Sequence, residues 1–556
     1  MGMLSSEALV FREHSPSKSK WDGSLSLVIY GLGFLIPALL TLGRILTPDT
    51  AFDTINYHTF LGARGLNWFA FTRSEFLPLG HWSFFPGYDA VFAISRTVLG
   101  YRLGTVISLF FQTGILGLLI LTHRLLNQST GSKSLDAFLL VSAAFSLEGL
   151  FQLGTYLTDT LNGFVFLLAL YFFVKATIRQ NQKLYLVVSI VLALAFLGKY
   201  SNLFYVIPFF LFLLLDSIHS RRYSVCFLSV AIFFVIVSPW LINNYLESGN
   251  PFYPYFNSIF QSPFFPEAEI AGPRGNSVIE RLIFPIRILG GNVRITQYFQ
   301  LIPDIKFSFY LFFPLITYPT LPREAKTGTF RYLFFGFLIS YFLWMYQFGY
   351  ARYGIGLEYW GGVLVIACLA ALRKYRSTAF KAASLWALTF LLIQNGIILA
   401  GNFKYDISWR TTLWDDPSLL SRNLHRLNDN HMELQIDGAE LHLQCTFPIT
   451  GYTVQSNVIN LPVINTTNYS GNTPSYFKET VEKIFGLYGE KEMYRFVSIA
   501  KPSGPTPNIT SCLSRLNQLD AQIDNEYNVL FLGENDIELT VITGTIDLKN
   551  LYRIPE

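Results

Sequence analysis

The chain has 556 residues, of which 51% are hydrophobic, 17% aromatic and only 14% charged, well below the ~25% charged content of soluble domains. That composition excludes a soluble enzyme of this size and a disordered chain, and four cysteines are too few for a disulfide-dense secreted scaffold. The net charge of +4 hides an asymmetry: residues 1–401 hold 29 Lys/Arg against 18 Asp/Glu, and residues 402–556 hold 12 against 19. The cations of the first part sit in short loops between apolar runs, which argues against a nucleic-acid surface. The expected fold class is an α-helical polytopic membrane protein with a C-terminal α/β domain, the boundary falling near Gly401.

In chain order, a polar N-terminal segment (1–23) precedes apolar runs at about 24–46, 104–124, 136–152, 160–176, 185–216, 223–242, 306–321, 331–348, 354–372 and 379–401. Spanning a bilayer core of ~30 Å takes about 20 apolar residues. The run at 185–216 is too long for one span and is broken by Gly198-Lys-Tyr-Ser-Asn202, so it reads as two helices. This gives eleven spans for the 24–401 module. The first is too long for a signal-peptide core. Lys and Arg are retained on the cytoplasmic side. With the N-terminus inside, every inner segment is basic, from Arg12, Lys18 and Lys20 through Arg221 and Arg222 to Arg373, Lys374, Arg376 and Lys381. An odd number of spans then puts the 402–556 tail outside. The expectation is a multi-pass protein of an inner (plasma) membrane, with outer loops at 47–103 and 243–305.

Within the second loop, Val278–Leu289 places Arg281 and Arg287 among Ile, Leu and Phe, a pattern that suits a helix lying in the interface. The tail mixes a helical stretch near Ser475–Phe485 with strand-like runs at Asn528–Leu532 and Glu538–Ile542. Cys445 and Cys512 both fall in this tail, where an oxidising compartment permits a disulfide; Cys226 and Cys368 lie in spans and read as packing residues.

Ionisable groups at membrane depth are costly and usually functional, and the predicted outer side gathers several. The first loop begins Thr47-Pro-Asp49-Thr-Ala-Phe-Asp53-Thr-Ile-Asn-Tyr57-His58, and His81 follows. A second turn reads Gly154-Thr-Tyr156-Leu-Thr-Asp159, and a third supplies Lys199-Tyr200. The long loop opens Pro239-Trp240-Leu-Ile-Asn243-Asn244 and continues to Gly249-Asn250-Pro-Phe-Tyr253-Pro254. A last turn gives Tyr350-Ala-Arg352-Tyr353. Each has a plain structural reading beside the chemical one. Asp159 is placed to cap a helix, Lys199 to snorkel, and Arg352 to pair with Glu358.

Taken in order, D-x-x-x-Y-H, T-Y-x-T-D, G-K-Y, P-W-L-I-x-N with G-N-P-x-Y-P, and A-R-Y resemble the polytopic GT-C glycosyltransferases, in the branch of protein O-mannosyltransferases and lipid A aminoarabinose transferases. The likeness covers roughly 24–372. The family's adjacent first-loop acids are absent here: Asp49 and Asp53 stand four apart. The resemblance implies transfer of a sugar from a polyprenyl-phosphate donor to an acceptor hydroxyl of a glycan, lipid or protein on the outer face. It implies Asp53 as base, with Asp159 as the second catalytic acid. Lys199, Arg352, Arg287 and Arg294 would face the donor phosphate. Asp49, Tyr57, His58, His81, Asn244, Asn250 and Tyr253 would line the substrate cavity. Asp53, Asp159 and His58 are the candidate ligands if a divalent metal ion takes part. No G-x-x-x-x-G-K-[ST] or G-x-G-x-x-G motif is present, and the inner loops are too short to fold a nucleotide site, so no nucleotide cofactor is expected. A transporter or flippase, or a non-catalytic assembly subunit for lipid-linked glycans, is the competing reading. The absence of an internal repeat and the placement of charges in loops rather than at the midplane count against transport.

Overall fold

The computed structural model describes residues 20–49, 51, 53–66, 84–126, 129–220, 223–262, 277–289, 304–405, 412–423, 439–444, 463–465, 481–482, 485, 491–500, 509–531 and 537–548. The helices that concern the argument are α1 (Lys20–Ile45), α2 (Thr59–Leu66), α3 (Gly87–Leu99), α4 (Ile107–Leu126), α5 (Lys133–Ala144), α6 (Leu147–Phe151), α7 (Asp159–Arg179), α8 (Gln182–Gly198), α9 (Leu203–Ser220) and α10 (Tyr223–Ser248). They continue with α11 (Asn257–Phe260), α12 (Val278–Leu282), α13 (Phe284–Leu289), α14 (Lys306–Thr320), α15 (Gly328–Gln347), α16 (Ile355–Tyr375) and α17 (Ser377–Lys404). All ten apolar runs expected from the sequence are helical. Seven of these helices are long and apolar enough to cross a membrane, and α8 is a shorter apolar helix. The molecule is a multi-pass helical membrane protein.

The run at 136–152 is not one continuous helix. α5 stops at Ala144, and α6 starts afresh with Ser146 as its cap, its hydroxyl accepting from the Gly149 N–H at 2.8 Å. The break leaves α5's terminal carbonyls without helical partners. The Lys306 ammonium donates to the Ser142 and Phe145 carbonyls at 2.9 and 2.5 Å, and the Gln112 amide donates to the Ala144 carbonyl at 2.7 Å. The split predicted at 198–202 is observed, with a single 3-10 turn (Tyr200–Asn202) between α8 and α9.

α16 is the centre of the bundle, buried at every position from Ile355 to Ala370. Small residues allow this. A Cβ on Gly362 would lie 2.3 Å from that of Ala143 in α5, and one on Gly361 would lie 2.5 Å from that of Tyr310 in α14, so α16 approaches both neighbours at backbone distance. The 278–289 stretch forms two short helices with Val278, Ile279, Leu282 and Ile286 exposed and Phe284 and Ile288 buried.

Beyond α17, five strands, β1 (Leu441–Gln444), β2 (Val463–Asn465), β3 (Tyr494–Ala500), β4 (Gln522–Phe531) and β5 (Ile537–Ile546), form one mixed sheet in the order β2-β1-β3-β5-β4. β1 is parallel to β2 and β3, while β5 is antiparallel to both β3 and β4, with Phe496 opposite Gly544 and Tyr527 opposite Val541. The strand-like runs at 528–532 and 538–542 are thus the ends of a longer hairpin. The helix expected at 475–485 lies almost wholly outside the described residues. Tyr57 and Leu61 of the first loop and Tyr253 of the second share one apolar cluster with Leu441, Leu443, Tyr494 and Phe496 of the sheet. Cys512 is buried and disulfide-bonded; Cys445 lies outside the described residues. Cys226 and Cys368 are free thiols.

Candidate functional site

Five chain segments that are distant in sequence meet at one end of the bundle. The first follows α1. Asp49 accepts from the Ala51 N–H (3.0 Å), the Thr54 hydroxyl (2.8 Å) and the Tyr156 N–H (2.8 Å), and its own carbonyl accepts from the Tyr101 hydroxyl at 2.8 Å. Asp49 therefore ties the first loop to the T-Y-x-T-D turn. This answers why the first-loop acids are separated here: Asp49 is used as scaffold, and Asp53, one helical turn on, is the acid left to face the site. Asp49→Ala is expected to lower stability by about 1–3 kcal/mol, the cost of orphaning buried donors, while the folded fraction keeps turnover within a few-fold. Melting temperature and turnover measured together check this.

Asp53 forms an ion pair with Arg352, both side chains being nearly buried. Arg352 also donates to the Tyr353 hydroxyl at 3.1 Å and lies 5.0 Å from that ring. Its partner is thus Asp53 from 299 residues away and not Glu358 on its own helix. Glu358 is fully buried, and its electrostatic neighbours are Asp304, Lys306 and Glu148.

Asp159 forms the second ion pair, with Lys199, whose ammonium also lies 4.8 Å from the Tyr353 ring. The capping role open to Asp159 from sequence is not what it performs. It is the first residue of α7 and its cap position is Thr158, without a side-chain bond. The Gln152 carbonyl instead accepts the Thr160 N–H at 3.2 Å, while the Gln152 amide donates to Asp159 at 2.8 Å. Nor does Lys199 snorkel: its side chain is 14% exposed. Burial, and then the Arg352 charge, pull the Lys199 pKa well down, while Asp53, Glu148 and Asp89 pull it up.

The loop helices complete the rim. The His58 Nδ1 lies 2.5 Å from the Asp89 carboxylate, and both are buried; burial raises the Asp89 pKa against the opposing pull of His58 and Lys199. The Asn244 amide donates to the Tyr200 hydroxyl at 2.7 Å. Asn250 folds the G-N-P-x-Y-P loop by accepting from the Phe252 N–H (2.9 Å) and donating to the Tyr255 carbonyl (2.9 Å). Tyr57 and Tyr253 are buried against the sheet, so they join loops to the tail rather than lining an open cavity. Arg287 lies in α13, and its Nη1 is buried without a hydrogen-bond partner. His81 and Arg294 fall outside the described residues.

The candidate metal set does not converge. Among the described residues no group of three His, Cys, Asp or Glu side chains is arranged to hold a metal ion. Asp53 and Asp159 each face a cation, and His58 faces Asp89.

Sequence reasoning passed over Asp89, Gln152, Glu148, Asp304 and Lys306. Glu148 carried a readable signal as the one acid in an apolar stretch, Phe145-Ser-Leu-Glu148-Gly-Leu. It is 2% exposed.

Residues 90–243 match the family model described as dolichyl-phosphate-mannose-protein mannosyltransferase. No curated protein matches the chain. Among solved structures, ArnT from Cupriavidus metallidurans in the apo state is 11% identical with a TM-score of 0.50, covering 94% of this chain and 98% of that one. The same enzyme bound to undecaprenyl phosphate is 12% identical with a TM-score of 0.49, over 94% and 98%. The Archaeoglobus fulgidus oligosaccharyltransferase in complex with zinc and sulfate is 14% identical with a TM-score of 0.50, over 91% of this chain and 72% of that one. The motifs, the matched family model and the shared fold agree: this chain is a polytopic membrane protein that is similar over residues 90–243 to that mannosyltransferase family and has the fold of ArnT and the archaeal oligosaccharyltransferase.

Proposed function

We propose that the protein transfers a sugar from a polyprenyl-phosphate donor to an acceptor hydroxyl, with inversion, on the outer face of a plasma membrane, and that residues 402–556 form a separate extracytoplasmic domain beside the transmembrane module. The observation that carries this reading is the convergence of two carboxylate–cation pairs, Asp53–Arg352 and Asp159–Lys199, from four turns at one end of the bundle. In the step itself, the acceptor oxygen attacks the anomeric carbon and the new C–O bond forms. The bond from that carbon to the donor's phosphate oxygen breaks, and the lipid phosphate leaves with one added negative charge. Asp53 takes the acceptor's proton as a general base. Arg352 and Lys199 stabilise the charge growing on the leaving phosphate, in a dry site where fixed cations are most effective. Arg352 thereby links the two halves, since it holds Asp53 before the donor arrives and turns to phosphate afterwards.

The polyprenyl donor is supported by the family description over residues 90–243, and the outer-face placement by the basic inner loops. Incubating the purified protein with lipid-linked sugars from its host, with an acceptor extract, and following the lipids by mass spectrometry tests the reading. Consumption of one polyprenyl-phosphate sugar is expected. No change in any lipid with folded protein would sink the transferase assignment in favour of transport or assembly.

A further inference from the structure

The first loop holds a buried pair that the transfer step leaves unused. His58 Nδ1 lies 2.5 Å from the Asp89 carboxylate, and each residue is only 6% exposed. Small residues build this contact. Gly62 and Gly65 of α2 face α3: a Cβ on Gly62 would lie 2.6 Å from the Asp89 carbonyl oxygen, and one on Gly65 would lie 3.2 Å from the Cβ of Ala90. The two helices therefore meet at backbone distance, which sets His58, just before α2, against Asp89 in the first turn of α3. The Arg96 guanidinium of α3 donates to the Thr59 carbonyl at 3.3 Å and holds the same crossing further along.

The pair adjoins the site on two sides. Asp53 immediately precedes a single π-turn, Thr54–His58, which is closed by the Thr59 N–H on the Thr54 carbonyl. On an α-helix, residues five apart point about 140° away from each other. A π-turn is closed by an i→i+5 bond instead, which brings such residues to one side, and such turns are frequent at functional sites. His58 thus stands one turn along from the acid that is paired with Arg352. On the other side, the Tyr88 ring fills the space that a Cβ on Gly198 would need. The residue before Asp89 is therefore packed directly on the residue before Lys199.

The Nδ1–H donates to Asp89, and that bond fixes the tautomer with the lone pair on Nε2. Among the described residues no donor reaches Nε2. Arg352 and Lys199 present N–H groups, which suit phosphate oxygens; a ring nitrogen with a lone pair suits an O–H instead. Resting on the polyprenyl-phosphate reading above, we propose that His58, held by Asp89, accepts a hydrogen bond from a substrate hydroxyl beside Asp53. That hydroxyl belongs either to the sugar being moved or to the acceptor. His58 is then a substrate-binding residue, and Asp89 is the positioning residue behind it.

The test uses the full-length protein in micelles with the host's lipid-linked sugars and an acceptor extract, the amount of each varied in turn. Calorimetric titration with undecaprenyl phosphate supplies a probe that carries no sugar. His58→Ala removes the acceptor nitrogen. Asp89→Asn keeps the shape, but its amide can donate to Nδ1 and so reverse the tautomer. Each is expected to raise the half-saturating amount of one extract by about three- to tenfold, the worth of one hydrogen bond, with undecaprenyl phosphate affinity at the wild-type value. A shift confined to the lipid extract places the hydroxyl on the sugar being moved, and one confined to the acceptor extract places it on the acceptor. The double variant should lose no more than the larger single loss, because the two residues act as a unit. His58→Gln and Asp89→Glu keep an acceptor and a carboxylate and should recover part of the loss, which also covers early melting of the first two variants. Unchanged half-saturation for both extracts in folded variants would overturn the proposal and leave the donor reading standing. Weakened undecaprenyl phosphate binding would overturn it too, by placing the imidazole on the phosphate. Consumption of no lipid-linked sugar by folded wild type would overturn both.

Discussion

Asp53→Asn is expected to reduce sugar transfer by ~10²–10⁴-fold, the contribution of a positioned general base, without weakening donor binding. An amide keeps the shape of the side chain but accepts no proton, so the acceptor hydroxyl must attack in its neutral form. The ion pair with Arg352 sharpens the expectation. In the wild type the donor phosphate competes with Asp53 for the guanidinium, and the asparagine removes that competitor. The dissociation constant for a polyprenyl phosphate should stay level or improve while turnover collapses. A fall in affinity matching the fall in turnover would mean that Asp53 holds the donor and does not act on the acceptor.

Lys199→Ala is expected to have the largest effect on stability, and it should weaken donor binding as well. Its loss leaves Asp159 as a buried carboxylate with only the Gln152 amide at 2.8 Å. Breaking a buried pair from one side costs about 3–5 kcal/mol, chiefly for the uncompensated charge that remains. The second change that tests this is Asp159→Asn. In the double variant no charge is stranded, so the melting temperature in micelles should return most of the way to wild type. Donor affinity should not return, since a charge-assisted contact worth about 1.5–3 kcal/mol is still missing. Recovery of both would place Lys199 in the scaffold alone, and recovery of neither would mean that its partner is a group other than Asp159.

The membrane module was legible in the sequence because a span is a local property. Twenty apolar residues must be helical in lipid, where every backbone group needs a partner within its own segment. All ten runs are accordingly helical, including the one split into a pair at Gly198–Asn202. What misled was length taken as continuity: the run at 136–152 contains the α5–α6 break, and nothing in its own residues announces the remote Lys306 that satisfies the exposed carbonyls.

The site divides in the same way. The residue types and their order, an acid after the first span and cations in two later turns, were visible along the chain and carried the family resemblance. Which acid meets which cation was not. Arg352 had Glu358 as a neighbour in sequence, yet it pairs with Asp53. Asp49 and Asp53 looked alike on paper. Only the approach of the Tyr156 N–H makes the first a structural anchor, leaving the second to the ion pair. Burial decided the rest. The unobtrusive Glu148 is taken out of water by tertiary packing, on a helix that packs against the turn carrying Arg352. Apolar periodicity thus determined how many helices the chain makes and which ends carry charge, because lipid imposes that on each segment by itself. The pairing of those charges, and hence their chemistry, was decided only by the folded bundle. Coulomb and desolvation energies depend on distances in space, which one-dimensional spacing does not contain.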